Sequence, residues 1–218
     1  MSLKILIFTV AFLPLGAFAQ CKVKNPANVD KVYENALRAV CNSLASDSQI
    51  ANRKFVLVIT DKFKNPNAFA MKDGGTQIIL INPPMLELHS KNFRSISFVI
   101  AHEISHFALG HVQDLKDSDL KDRVIFSSLL TLSSFFGFTM NSFIDFVTIS
   151  SAAQYSQKQE LDADKFAVSL LTRNGYSKND ALYSMGLLQD ISSSSSFSDF
   201  LKTHPNPSLR FQKIQGIN

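Results

Sequence analysis

A histidine and glutamate motif is the part of this sequence whose residue types and spacing suit chemistry. His102, Glu103 and His106 form an H-E-x-x-H pattern inside an apolar stretch with helical periodicity. Residues four apart lie on one face of an α-helix, so both imidazoles can point at a single zinc ion. Glu103 lies on the adjacent face, where it would act as the general base toward a water molecule at that metal.

Two unrelated histidines on a surface helix are the alternative interpretation of this motif. Apolar residues beside the histidines argue against it, because they recur at helical spacing and predict a buried face. These residues are Ile96, Ile100, Ile104 and Phe107. We therefore interpret the motif as part of a zinc site on a largely buried helix.

A catalytic zinc ion ordinarily takes three protein ligands, and the motif supplies only two. A third histidine ten residues after His102 is excluded, because position 112 is Val112 and Leu109 stands where that pattern needs glycine. Glu160 offers the ligand instead, and Asp164 lies one helical turn further along the same face. Asp164 would accept an N–H from a ligand histidine and so fix its tautomer. The alternative is a solvated acidic patch near a helix N-terminus, where acidic residues are favoured in any case.

Four blocks of the chain carry a family likeness. They are Asn67-Ala68-Phe69-Ala70, the stretch FVIAHEISHFALGH from Phe98 to His111, the stretch ELDADKFA from Glu160 to Ala167, and Thr203-His204-Pro205 with Arg210. Together they resemble the HtpX and CAAX-prenyl-protease family of zinc endopeptidases, particularly its soluble, exported bacterial members. The resemblance implies a gluzincin fold, α+β and mainly α-helical, with a small β-sheet packed on the active-site helix.

The resemblance also implies an activity and a ligand set. One zinc ion per chain would be held by His102, His106 and Glu160. The expected reaction is hydrolysis of internal peptide bonds in misfolded or unassembled cell-envelope proteins. A rival interpretation is an envelope chaperone or assembly factor, which binds exposed strands and whose proteolysis is secondary or latent.

Residues of the outer blocks receive roles in binding and catalysis. His204 and Arg210 are the candidates for a donor to the oxyanion, and the alternative is a His-Pro turn and an arginine that caps the last helix. A second hypothesis lets His204 swing onto the zinc ion, so that the enzyme stays latent until substrate moves its loop. The strand from Asn67 to Ala70 would bind an extended substrate by β-augmentation, which reads backbone more than side chains.

Two other histidines are expected to have no role as ligands, and Gln157 departs from the family pattern. His111 follows His106 by five residues, a spacing that turns its side chain away from the metal-binding face, so a structural role is expected. His89 has no partner in the sequence and is expected to be exposed. Gln157 stands where an arginine is common in the family.

The N-terminus has the pattern of a secretory signal peptide. Lys4 precedes an apolar run from Ile5 to Leu15, and Ala17-Phe18-Ala19 is an A-x-A cleavage site. A retained anchor helix is disfavoured, because the apolar run is short and is broken by Pro14. Residues 1–19 are therefore predicted to be a cleaved signal, and export to the bacterial periplasm is expected.

The predicted export determines whether the two cysteines of the chain are expected to be oxidised. In an oxidising compartment Cys21 and Cys41 are expected to form a disulfide between the N-terminal arm and the first helix, with two free thiols as the alternative. Lipidation of Cys21 is disfavoured, since Gln20 stands where such signals need a small residue. Residues 20–218 are predicted to form a single domain.

Charge and hydropathy restrict the partners. The net charge of +4 is mild and spread along the chain, so nucleic acid is not expected as a partner. Residues 124–144 carry no charge and are long enough to span a bilayer. A weakly polar stripe at helical spacing favours a packed or interface-lying helix instead, with peripheral membrane contact.

Local patterns predict the secondary structure. The predicted strands are Phe55 to Thr60, Phe69 to Met71 and Thr76 to Ile81. The predicted helices are Val29 to Leu44, a stretch starting at Pro83-Pro84, Ser156 to Leu171, Ser177 to Ile191 and Ser208 to Ile214, with a loop over the serine run from Ser192 to Ser196.

Overall fold

A computed structural model describes six stretches of the chain. They are residues 21–50, 53–62, 64–73, 76–112, 155–192 and 198–217. The predicted signal at 1–19, the apolar segment 124–144 and most of the serine run lie outside these described residues. None of the helices described has the length and apolar character that crossing a lipid bilayer requires.

The described residues form a mainly helical fold with one small sheet, which confirms the predicted α+β class. The strands are β1 Cys21–Lys24, β2 Phe55–Ile59, β3 Ala68–Asp73 and β4 Thr76–Ile81. The α-helices are α1 Lys31–Ala45, α2 Pro83–Leu88, α3 Ile96–Ala108, α4 Gln157–Arg173, α5 Lys178–Ile191, α6 Ser198–Thr203 and α7 Pro207–Gln215, and a 3₁₀ segment, Ser90–Ser95, precedes α3. The sequence patterns did not predict β1, the 3₁₀ segment or α6.

The sheet has the strand order β1-β2-β4-β3. Strand β2 pairs in parallel with both β1 and β4, whereas β3 and β4 are antiparallel, from Ala68 opposite Ile81 to Asp73 opposite Thr76. The inward side chains of β2 alternate with half-buried ones, as expected of a strand that covers a core with one face. Strand β3 is therefore the terminal strand at one edge of the sheet as described.

Helix α3 lies at the centre of the molecule and packs against both the sheet and α4. From Ile96 to Phe107 every residue of it is buried, which explains its nearly continuous apolar sequence. Helix α4 begins with a capping box, in which Ser156 and Gln159 each accept a hydrogen bond from the backbone N–H of the other. This cap fixes the start of α4 one turn before Glu160.

Cys21 and Cys41 form a disulfide that links β1 to α1. The backbone N–H of Cys21 also donates to the side-chain oxygen of Asn42, 3.0 Å away. The N-terminal strand is thus held to the first helix by a covalent bond and a hydrogen bond, in the pairing expected from export.

The prediction that His89 is exposed is wrong. Its side chain is fully buried, with Nδ1 2.8 Å from the carbonyl oxygen of Met85 and Nε2 2.9 Å from the hydroxyl of Ser184. Burial lowers the pKa of His89 to about 4, so the ring is neutral at pH 7. The sequence carried no signal of this contact, because Ser184 lies on α5, far away along the chain.

Candidate metal centre and active site

Helix α3 presents the three residues of the H-E-x-x-H motif to the interior. His102 and His106 lie one turn apart, and their Nε2 atoms are 3.0 Å from each other. Glu160 approaches from α4, with Oε1 3.2 Å from Nε2 of His106 and Oε2 3.5 Å from Nε2 of His102. Two helices distant in sequence therefore bring two imidazoles and a carboxylate to one point.

His204, just after α6, adds a third imidazole to this cluster. Its Nδ1 is 3.2 Å from Oε1 of Glu160, and the donor atoms of the four residues lie within 4.8 Å of one another. Nitrogen and carboxylate donors in this number are those of zinc sites, so the residues present fit such an ion. The four residues are at most 3 % exposed, which makes a chance acidic surface patch an inadequate explanation.

Two further charged side chains, outside the cluster, form hydrogen bonds and ion pairs with its members. Nδ1 of His102 is 2.9 Å from Oδ1 of Asp164, the carboxylate predicted to orient a ligand histidine. Arg210 on α7 donates to both oxygens of Asp164, at 2.8 and 2.7 Å, and its Nη1 is 2.6 Å from Oε2 of Glu160. One buried guanidinium thus neutralises two buried carboxylates, a geometry that suits arginine better than lysine.

These contacts favour a positioning role for Arg210 over the predicted role as a donor to the oxyanion, which stays a prediction. Its side chain is 1 % exposed, and its guanidinium contacts Asp164 and Glu160. A group held in this way is suited to position the side chains of Asp164 and Glu160. Gln157 likewise has a local role, since its side-chain oxygen accepts a hydrogen bond from Asn206 and joins the start of α4 to the loop before α7.

Glu103 has the surroundings of a general base. Burial raises the pKa of its carboxyl, although His204 and His102 act in the opposite direction. Oε1 lies 3.6 Å from Nε2 of His204, and Oε2 is buried without a hydrogen-bond partner among the described residues. An unpaired buried oxygen beside the cluster is suited to accept a proton, as a general base must.

The protonation states of the cluster depend on its charges. Burial and Arg210 lower the pKa of His102, but Glu160 and Asp164 outweigh them and raise it to about 9. Burial lowers the pKa of His106 to about 3. Burial alone would raise the pKa of Glu160, yet Arg210 and the histidines hold it well below its usual range. Metal binding would therefore release a proton from His102.

The strand predicted to bind substrate borders this cluster. Asn67 precedes β3, and its backbone N–H donates to the side-chain oxygen of Asn82, which also caps α2. Ala68, Phe69 and Ala70 are all buried. The carbonyl oxygen of Ala68 is 3.2 Å from Nε2 of His204, so the edge of the sheet touches the site directly.

Tyr155 contacts the cluster as well, which the sequence patterns did not predict. Its ring stacks on that of His106 with centroids 3.7 Å apart and planes 16° from parallel. Burial raises the pKa of its phenol well above the usual value. The only available signal was an aromatic residue directly before the capping Ser156, which points to packing and not to a ligand.

A helix that carries H-E-x-x-H, completed by a glutamate from a second helix, defines a metallopeptidase. The chain belongs to peptidase family M48, whose model matches residues 32–218. The sequence is also 28% identical over 196 residues to "Metalloprotease LoiP" of Escherichia coli (strain K12), an alignment that covers 87% of this chain and 71% of the relative. The resemblance drawn from the sequence motifs is thereby confirmed, and the protein is a metal-dependent peptidase.

Proposed function

We propose that the protein is a zinc-dependent endopeptidase that hydrolyses unfolded or unassembled proteins of the cell envelope. The observation that carries the proposal is the position of the unpaired Glu103 carboxylate beside the buried donors of His102, His106 and Glu160. A structural zinc site is closed by its ligands and needs no base. A carboxylate with a free oxygen at this place is what a hydrolytic site requires.

In the proposed reaction, Glu103 transfers the proton, and Asp164 and Arg210 position the ligands. When bound, one zinc ion per chain would supply Lewis-acid polarisation of the scissile carbonyl and would acidify a water molecule. Glu103 takes a proton from the attacking water and later passes it to the leaving amine as the C–N bond breaks. Asp164 and Arg210 hold His102 and Glu160 in place throughout.

The substrate would pair with the edge of the sheet at β3. Pairing of this kind uses main-chain hydrogen bonds, so it suits extended, unfolded chains and predicts low sequence selectivity. The export expected from the N-terminal pattern gains support from the disulfide between Cys21 and Cys41, since such bonds persist in oxidising compartments. We infer a periplasmic protein, whose segment 124–144 is the candidate for peripheral membrane contact.

His204 stands in the way of such a substrate. It is fully buried, and it contacts both Glu160 and the carbonyl oxygen of Ala68 at the strand edge. These contacts favour the latency hypothesis, in which His204 occupies the site until substrate displaces it. Occupation of the site by His204 is also the observation that favours the alternative function, a chaperone or assembly factor with latent proteolysis.

We expect the His204→Ala protein to cleave an unfolded substrate faster than the wild type, because the blocking imidazole is gone. Initial rates on a reduced, alkylated protein, measured at matched zinc content, test this expectation. If activity falls instead by about 10²–10³-fold, His204 is a donor to the oxyanion and the latency hypothesis is wrong.

Removal of the metal tests the proposed function itself. We expect the mature chain to cleave the same unfolded substrate, to lose that activity after dialysis against a chelator, and to regain it with stoichiometric zinc. Circular dichroism after dialysis checks that the metal-free protein remains folded. If neither the wild type nor the His204→Ala protein shows metal-dependent cleavage, the endopeptidase proposal fails and the chaperone alternative is favoured.

A further inference from the structure

The C-terminal end of α3 folds back on the metal site. Leu109 is the C-cap, and Gly110 follows with φ +72°, in the left-handed region that glycine adopts readily. The N–H of Gly110 donates to the carbonyl of Phe107, and the N–H of His111 donates to the carbonyl of His106, at 3.2 and 2.9 Å. These two hydrogen bonds define a Schellman motif, which carries the chain back over the last helical turn.

This motif places the side chain of His111 against that of His106. On a continuing helix a residue five positions later would point elsewhere, which is why the sequence predicted a separate structural role. Because the helix ends before Gly110, Nδ1 of His111 instead lies 3.0 Å from Nδ1 of His106. The two ring nitrogens of His106 thus face different partners, Nε2 toward the ligand cluster and Nδ1 toward His111.

The chemistry of a metal-bound imidazole determines what this contact must be. A histidine that binds metal through Nε2 carries its proton on Nδ1 and donates it to a neighbouring acceptor. His102 donates to a carboxylate, Asp164, whereas the acceptor beside His106 is a second imidazole. We propose that His111 is a positioning residue that accepts the Nδ1 proton of His106 and so holds Nε2 of His106 toward the metal.

The position of Tyr155 supports this assignment. Its ring covers one face of His106 in a nearly parallel stack, so rotation of the His106 ring is restricted by packing. Packing alone does not distinguish nitrogen from carbon in the ring, because a flip of 180° exchanges Nδ1 with Cδ2 and Nε2 with Cε1 and fills nearly the same space. The hydrogen bond to His111 provides that distinction.

Zinc affinity tests the proposal, which rests on the proposed zinc site but not on turnover. We expect His111→Leu to weaken zinc binding by about 10–100-fold in competition with a chromophoric chelator. His111→Asn, whose amide oxygen can accept the same proton, is expected to restore most of the affinity. His89→Gln is the matched control, since it alters a buried histidine whose hydrogen-bond partners, Met85 and Ser184, are not candidate ligands, and it should leave zinc affinity unchanged.

The outcomes separate this proposal from the proposed function. Weaker zinc binding in His111→Leu, with no cleavage even by the wild type, would leave the positioning role intact and remove the peptidase. Wild-type affinity in His111→Leu, or an equal loss in His89→Gln, would overturn the positioning role whatever the activity.

A measurement on the unaltered protein covers the case in which His111→Leu does not fold. Long-range ¹H–¹⁵N spectra of the zinc-loaded wild type report which nitrogen of each imidazole is protonated. We expect His106 to carry its proton on Nδ1 and His111 to carry its proton on Nε2. A proton on Nδ1 of His111 would contradict the proposal, because that atom would then be unable to accept.

Discussion

Replacement of Glu103 by glutamine is expected to lower the rate of peptide hydrolysis by about 10²–10⁴-fold while zinc remains bound. Glutamine has nearly the shape of glutamate but cannot take a proton from water. Glu103 is 1 % exposed and lies beside the ligands, not among them, so the substitution leaves His102, His106 and Glu160 in place. Single-turnover rates on an unfolded substrate, at zinc content checked by metal analysis, measure the effect.

The pH dependence of the wild type should reflect the same carboxylate. Burial raises the pKa of Glu103, so the base becomes available only as the pH rises through that elevated value.

The control for the Glu103→Gln substitution is Glu87→Gln, the same chemical change at an exposed position of α2, which should retain full activity. Cleavage by Glu103→Gln at the wild-type rate would show that another group is the base.

Local geometry explains why part of the site was predictable. His102 and His106 share a face because of the helical repeat alone, and their apolar neighbours predict that the face is buried. The helix predicted from Ser177 to Ile191 is confirmed, and Ser177 caps its start, because a side-chain oxygen before a helix satisfies free backbone N–H groups. Such features depend on a few consecutive residues, so the sequence contains all the information they need.

Features that depend on packing between distant elements were less accessible. Glu160 was selected by its residue type, its spacing from Asp164 and a family likeness, whereas its distance from the histidines is set by how α4 packs on α3. His89 was mispredicted because its partner, Ser184, lies on α5. Tyr155 was missed for the same reason.

His111 illustrates a different case, since it lies outside the cluster of donor atoms as expected, but its contact with His106 was not predicted. The helical repeat was extended over five residues, although Gly110 in the same sequence is a recognised signal of a helix end. With the end placed at Ala108, the Schellman hydrogen bonds return the chain toward His106. The information was local, and the wrong assumption was that the helix continued.

Replacement of Arg210 by methionine is expected to destabilise the metal-free protein by about 3–5 kcal/mol. Arg210 neutralises Asp164 and Glu160, and all three side chains are at most 2 % exposed. Methionine fills much of the space but leaves two buried carboxylates without their cation. The free energy of unfolding, from urea titrations of metal-free protein at pH 7, measures the loss.

A matched surface substitution separates lost charge pairing from the loss of arginine as such. Arg38 pairs with Glu34 on α1 with 43% of its side chain exposed, so Arg38→Met should change the stability far less. Arg210→Lys should recover only part of the lost stability, because an ammonium cannot reproduce the bidentate hydrogen bonds to Asp164. If Arg210→Met instead kept wild-type stability and lost only turnover, Arg210 would be a donor to the oxyanion. The buried contacts of Arg210 with Asp164 and Glu160 favour the loss of stability.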